Sequence, residues 1–169
     1  MEIEAKIPLT PEQAQTLRDR LGPPTSVKRQ QDVYLATAGL PVALRVREDG
    51  EQAWVTLKSG FEQVAGIRVR EELEPAIRPE DMQTWLLIFE RLGLPRGLTV
   101  AKTREEHAYG GVHVLIDEVD GLGTYCEVES VAEDKDAALA KLEQAISELG
   151  MSGLPRVTDS YRELLLARR

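Results

Sequence analysis

Residues 2–7 read Glu-Ile-Glu-Ala-Lys-Ile. If this stretch is extended, its period of two puts Glu2, Glu4 and Lys6 on one face and Ile3, Ala5 and Ile7 on the other. The same two-residue spacing recurs down the chain, in Arg45/Arg47, Arg68/Arg70, Glu72/Glu74, Lys102/Arg104 and Glu127/Glu129, with Lys58 and Asp117 on matching parity. Seven acids and eight bases would then converge on one interior. A dry core does not tolerate such a set unless the charges pair or bind ions. The strands must therefore close around something other than hydrocarbon.

Composition narrows what that can be. At 169 residues, the chain is read as one domain spanning 1–169, long enough to bury a substantial core. An apolar fraction of 42% with 30% charged residues suits a globular protein and argues against disorder. A net charge of -8 argues against nonspecific binding to nucleic acid or to an anionic membrane. No apolar run reaches spanning length, and no signal-peptide pattern opens the chain. Cys126 is the single cysteine, so no internal disulfide can form, and a cytoplasmic setting is expected.

Local signals place the elements. Thr10, Pro11 and Gln13 form a helix start with a capping box, and Gly22-Pro23-Pro24 ends that helix. Extended segments are expected at 31–37, 42–48, 52–58 and 66–74, with a tight turn at Asp49-Gly50. A second helix over about 79–92 would bury Met82, Trp85, Leu86 and Phe89. Strands at 99–108 and 112–119 meet at Gly110-Gly111, and 124–131 follows. Helices over about 134–149 and 160–167 complete the chain. Roughly eight strands without long crossovers predict an α+β fold, an eight-stranded antiparallel β-barrel with helices packed outside.

The interior acids are Glu2, Glu4, Glu72, Glu74, Asp117, Glu127 and Glu129. Such an oxygen-only donor set suits a hard cation, Mg2+ or Mn2+. Lys6, Arg45, Arg47, Lys58, Arg68, Arg70, Lys102 and Arg104 oppose them, and guanidinium forks match phosphate oxygens. Both signs inside one barrel imply a polyanion that carries its own metal, the arrangement by which phosphoryl-transfer sites stabilise spreading charge.

The ordered segments EIEAK at 2–6, DVY at 32–34, LRVR at 44–47, TLK at 56–58 and RVREELE at 68–74 carry a resemblance. KTR at 102–104, LID at 115–117, GLGTYCEVE at 121–129 and SYRELL at 160–165 continue it. Together they resemble the CYTH superfamily, the triphosphate tunnel metalloenzymes, which include class IV adenylate cyclases, thiamine triphosphatases and tripolyphosphatases. The resemblance implies a triphosphate tunnel with Glu2, Glu4, Glu127 and Glu129 as metal ligands and Asp117 as a further acid near a second metal or the attacking water. Glu72 matches a ligand and Arg70 a phosphate partner, within a segment, RVREELE, that admits a one-pair slip along its strand. The resemblance also implies triphosphate binding by Lys6, Arg45, Arg47, Lys58, Lys102 and Arg104, with Arg68 and Glu74 at the rim.

In the catalytic set, Asp117 or Glu129 orients water and Lys6 faces the transferred group. The expected activity is metal-dependent hydrolysis of a small-molecule triphosphate by a monomer or homodimer. The alternatives are cyclisation of ATP and a noncatalytic polyphosphate-binding module. Thiamine-triphosphatase-like members place a lysine near the C-terminus, where this chain has only arginines. His107 and His113 read as surface or rim residues, and Cys126 as a buried small hydrophobe. Trp54 shares parity with Lys58, so it either packs at a core or edge or faces the tunnel. Tyr161 either seals one tunnel end or anchors the last helix.

Overall fold

The computed structural model describes residues 1–37 and 39–169. Strand β1 (Glu2–Leu9) leads into α1 (Pro11–Leu21), whose Thr10 cap and Gln13 form the reciprocal capping box that the sequence signals. β2 (Ser26–Leu35), β3 (Ala43–Glu48), β4 (Ala53–Val64), β5 (Ile67–Leu73) and the two-residue β6 (Ala76–Ile77) follow. Pro79–Asp81 forms a 3-10 turn, so α2 begins only at Met82 and runs to Arg91. Then come β7 (Arg96–Tyr109), β8 (Val112–Val119), β9 (Gly123–Val131), α3 (Lys135–Glu148) and α4 (Tyr161–Leu166). No helix among the described residues is long and apolar enough to cross a membrane.

All strand pairings are antiparallel, in the order β3-β2-β7-β8-β9-β1-β5-β4, and a further β3–β4 pairing closes the ring. The result is the eight-stranded closed barrel with four helices that the sequence predicts. β6 lies outside the ring, paired only to β4. The turn glycines Gly50, Gly110 and Gly111 have φ of 86°, 57° and 79°, a region closed to most side chains. They allow the chain to reverse tightly between β3 and β4 and between β7 and β8.

Closure sends the apolar faces outward and the charged faces inward. Ile3, Ala5 and Ile7 join Val114, Ile116, Cys126 and Val128 in a core against α3, through Leu142, Ala145 and Ile146. A second core sets Leu35, Leu44 and Val46 against Met82 and Leu86 of α2. Trp85 and Phe89, expected in that buried stripe, are half-buried and lie against each other at 5.9 Å. A third cluster joins Tyr34, Val100, Val119 and Tyr125 to Tyr161, anchoring α4 at one end of the barrel. The hydrophobic drive is thus spent between sheet and helices, and the interior is left to charge.

His107 corrects one expectation. It sits on the outer face of β7, opposite in parity to Lys102 and Arg104, and is only 3% exposed. Burial, its largest influence, holds it below the usual histidine range. His113 is exposed as expected, and Cys126 is a fully buried thiol whose pKa burial pushes up.

Candidate functional site

Strand register builds the site by setting opposite charges across from each other. Directly opposed pairs include Glu2 with Arg70, Glu4 with Arg68, Lys6 with Glu127, Asp32 with Arg47, Lys58 with Glu72 and Arg104 with Asp117. The pairing of Glu2 with Arg70 and Lys58 with Glu72 resolves the possible slip in RVREELE. Such cross-strand pairs stabilise a sheet, whereas like charges directly opposed destabilise it. One acid faces an acid: Glu4 of β1 lies across from Glu129 of β9.

The side chains enclose a cavity of about 790 Å3, lined by all of the predicted phosphate-binding cations and by Glu2, Glu4, Glu72, Glu74, Glu127 and Glu129. Lys58 donates to both oxygens of Glu2 at 3.0 and 2.9 Å, and Arg70 reaches Glu2 at 2.9 Å and also Glu4. Lys6 lies 3.1 Å from Glu4 and 3.4 Å from Glu127, while Arg104 binds Glu127 as well. Glu72 pairs with Lys58 at 2.8 Å. Burial pushes the Glu4 carboxyl up, but Lys6, aided by Arg70 and Lys58, outweighs that and holds it below the usual range. For Glu127, burial is again overcome by Lys6, Arg104 and Lys102.

Asp117 stands apart from the other acids. It is fully buried, does not line the cavity, and accepts bonds from Lys102 at 2.9 Å, Arg104 at 2.7 and 2.6 Å and the Tyr161 hydroxyl at 2.9 Å. It props the basic wall from behind. Lys102 is nevertheless pushed down to about 8, first by burial and then by Arg104, with Arg47 adding to the effect against Asp117.

Asp32 was not among the predicted site residues, although DVY lies on a strand of the right parity. It binds Arg47 bidentately at 2.6 and 2.8 Å and lies 3.4 Å from Arg45. Burial works against its charge, but Arg45 and Arg47 hold it far below the usual carboxylate range.

At the α4 end, Tyr161 lies with Lys6 and Lys102 over its ring, at 4.5 and 5.0 Å from the centroid, so it both anchors α4 and lines the cavity. Of the C-terminal arginines, Arg162 is the one on the cavity wall, set over the Tyr34 ring at 5.7 Å. Arg156 pairs with Glu143 at 2.7 Å, and Arg168 donates to the Gly121 carbonyl. Arg68 also lines the cavity, half-buried over Phe61 at 5.6 Å. Among the described residues, neither Arg68 nor Arg162 has a carboxylate partner, and each keeps a buried nitrogen without an acceptor.

One oxygen each of Glu2, Glu4 and Glu129 lies within 4.8 Å of the others. This trio fits a hard divalent ion on two grounds. Glu4 Oε1 is buried and has no hydrogen-bond partner among the described residues beyond its ion pair with the Lys6 ammonium at 3.1 Å. Glu129 has no cation against it among the described residues. Burial, with Glu127, Glu2 and Glu4 adding to it against Arg104, pushes Glu129 up to about 7. The other predicted ligands, Glu72, Glu127 and Asp117, are not part of this trio.

A second cavity of about 420 Å3 lies beyond a ring of Arg47, Glu74, Arg104 and Glu129, which line both spaces. Trp54 lines it, which settles its orientation toward the tunnel.

Fold and site together define a closed β-tunnel whose interior is a lattice of paired acids and bases, in which Glu129 of the acid trio has no cation against it among the described residues. The chain belongs to the CYTH domain family, whose profile matches residues 1–162. A Methanocaldococcus jannaschii protein bearing a provisional adenylate cyclase name is 30% identical over 126 residues, covering 72% of this chain and 70% of its own. The structure of Pyrococcus horikoshii protein PH1819 matches with a TM-score of 0.86 at 28% identity, over 100% of both chains. A Hippeastrum protein, described as a provisional adenylyl cyclase with a dominant triphosphatase activity, matches with a TM-score of 0.72 at 21% identity, covering 100% of this chain and 97% of that one.

Proposed function

We propose that this protein hydrolyses a triphosphate, tripolyphosphate or an organic triphosphate, with Mg2+ or Mn2+ held by Glu2, Glu4 and Glu129. The observation that carries the reading is the Glu4–Glu129 opposition, an acid set directly against an acid where Glu2, Glu72, Glu127, Asp32 and Asp117 each face a base. An unbalanced carboxylate cluster facing a basic wall suits a cation brought together with a polyanion. When bound, the ion supplies Lewis-acid stabilisation of charge on the phosphate oxygens.

The chain's own groups do the rest. Arg68 and Arg162 have no carboxylate partner to leave and meet the polyanion first. Arg45, Arg47, Lys58, Arg70, Lys102 and Arg104 then turn from their carboxylates to phosphate oxygens. Lys6, between Glu4 and Glu127, places its ammonium against the transferred phosphoryl group. Glu129, the trio's carboxylate without a cation against it among the described residues, orients the attacking water. Asp117 is a positioning residue that holds Lys102 and Arg104 against the substrate side.

A cyclase name among relatives does not decide between hydrolysis and cyclisation, since the Hippeastrum protein pairs such a name with a dominant triphosphatase activity. The deciding experiment offers tripolyphosphate, thiamine triphosphate and ATP separately with Mg2+ or Mn2+ and quantifies orthophosphate, pyrophosphate and cyclic AMP. Orthophosphate release is expected. Cyclic AMP plus pyrophosphate as the main products from ATP would replace hydrolysis by cyclisation, and no turnover of any of the three would remove the enzymatic reading.

A further inference from the structure

Two ends of the tunnel differ in what their aromatic rings carry. In the main cavity each ring is already capped by a cation: Phe61 by Arg68, Tyr34 by Arg162, and Tyr161 by Lys6 and Lys102. These rings hold cations in place for anions. Trp54 is the exception. It is half-buried, lines only the second cavity, and among the described residues no cation lies over its ring.

The surroundings of Trp54 are also unlike the main cavity. Ser26, Gln30 and Gln52 supply neutral hydrogen-bonding groups on the same wall. Gln30 is 6% exposed, and its Oε1 and the Ser26 hydroxyl oxygen are shielded from solvent without a hydrogen-bond partner among the described residues. Buried polar atoms in native proteins are nearly always satisfied, so these are open to a ligand's donors and acceptors. Charge disfavours a phosphate here, because Asp49, Glu74, Glu106 and Glu129 on this wall outnumber Lys28, Arg47 and Arg104, and Lys28 is itself paired with Asp49 at 2.7 Å. Glu106 and Glu129 meet no cation at ion-pair distance among the described residues.

From this contrast we infer that the second cavity is a subsite for the organic end of the substrate, a heteroaromatic ring bearing an amino group that stacks on Trp54 and hydrogen-bonds to Gln30 and Ser26. Its volume of about 420 Å3 falls within the ordinary range of small-molecule sites, about 300–1,000 Å3. A flat ring gains from an uncapped indole face, and an amino donor meets acceptors and carboxylates. The triphosphate then lies in the main cavity with its organic end passing the ring of Arg47, Glu74, Arg104 and Glu129. A long inorganic polyphosphate would have to push negative charge past Glu74, Glu106 and Glu129 to occupy the same space. The proposal rests on the reading of the main cavity as a triphosphate site.

The test separates the two. In a Trp85→Phe variant, which leaves Trp54 as the sole tryptophan, ATP, thiamine triphosphate and tripolyphosphate are titrated in EDTA while indole fluorescence is followed. Quenching by ATP or thiamine triphosphate several-fold greater than by tripolyphosphate is expected. In parallel, Trp54→Leu is expected to lower kcat/KM for the preferred organic triphosphate at least tenfold more than for tripolyphosphate, with Trp54→Phe restoring much of the difference. Equal fluorescence responses to all three probes, or an equal loss on organic and inorganic substrates, would overturn the subsite. Selective quenching without turnover of any triphosphate would keep the subsite and remove the hydrolysis.

Discussion

A carboxylate that does not pair is informative because its neighbours do. Glu129 is pushed up to about 7, first by burial and then by Glu127, Glu2 and Glu4, against about 4.3 for an ordinary glutamate. A raised folded-state pKa means that the protonated form is favoured on folding. That contribution is whole below about pH 4 and is lost as pH rises through 7. Glu129→Gln makes the neutral form permanent. In EDTA at pH 8 its Tm should exceed that of the wild type, by the equivalent of at most about 4 kcal/mol, and the gap should close towards pH 4, while metal-dependent turnover falls at least 100-fold. Differential scanning calorimetry beside a phosphate-release assay checks both, and a variant that is less stable with full activity would sink the assignment of Glu129. Asp32 behaves oppositely. Its two oxygens satisfy the Arg47 fork, and Asp32→Asn leaves Arg45 and Arg47 buried without their counter-charge. Breaking a buried pair from one side costs about 3–5 kcal/mol. A large drop in the urea midpoint is expected, and a midpoint within error of wild type would show that the arginines are balanced elsewhere.

At the scale of elements, α4 has six residues and holds to the barrel through Tyr161, whose hydroxyl donates to Asp117. Arg162, the next residue, reaches the cavity without a carboxylate partner, so no internal pair is broken when it is removed. Arg162→Ala should weaken tripolyphosphate binding about tenfold at nearly unchanged thermal stability, measured by calorimetric titration in EDTA. Unaltered affinity would place Arg162 outside the substrate path. The sequence could not single out this residue, because four C-terminal arginines look alike until the chain between 149 and 160 is traced over the barrel. The strands were easier. Parity assigned the charges of Glu2 to Lys6, Arg45 and Arg47, and Glu127 and Glu129 to one interior, and Asp49-Gly50 and Gly110-Gly111 marked their turns correctly. Parity says which face a side chain takes, but not how deep it lies or what covers it. Parity thus gives the inward face of Asp117 but not the three donors and full burial that enclose it, and His107 reads as surface although the outer face at that point is covered. The sequence leaves Trp54 two orientations for a related reason, since parity with Lys58 does not reveal the second cavity that receives it.

At the scale of the molecule, the two larger apolar cores lie between the barrel and its helices and most of the interior is built from paired charges, which makes it responsive to pH on both sides of neutrality. Lys102, lowered to about 8 by burial and by Arg104 and Arg47, is the basic group nearest to losing its charge, and Glu129 at about 7 is the acidic group nearest to gaining one. Productive binding needs Glu129 ionised, to hold a cation, and Lys102 protonated, to meet a phosphate. Below pH 7 the first condition fails, and above pH 8 the second. The pH dependence of kcat/KM, which reports the free enzyme, should therefore be a narrow bell with its maximum between about 7 and 8. The same linkage requires that anion binding raise the Lys102 pKa, so tripolyphosphate binding in EDTA should take up protons above pH 8, and calorimetry in buffers of different ionisation enthalpy would detect this. Substrate ionisation also varies over this range, and Lys102→Arg distinguishes the two sources. A guanidinium stays charged, so the alkaline limb should move upward by at least one pH unit if Lys102 sets it. An alkaline limb that stays in place in Lys102→Arg would assign it to the substrate, and a flat profile from pH 6 to 9 in the wild type would mean that neither group controls productive binding.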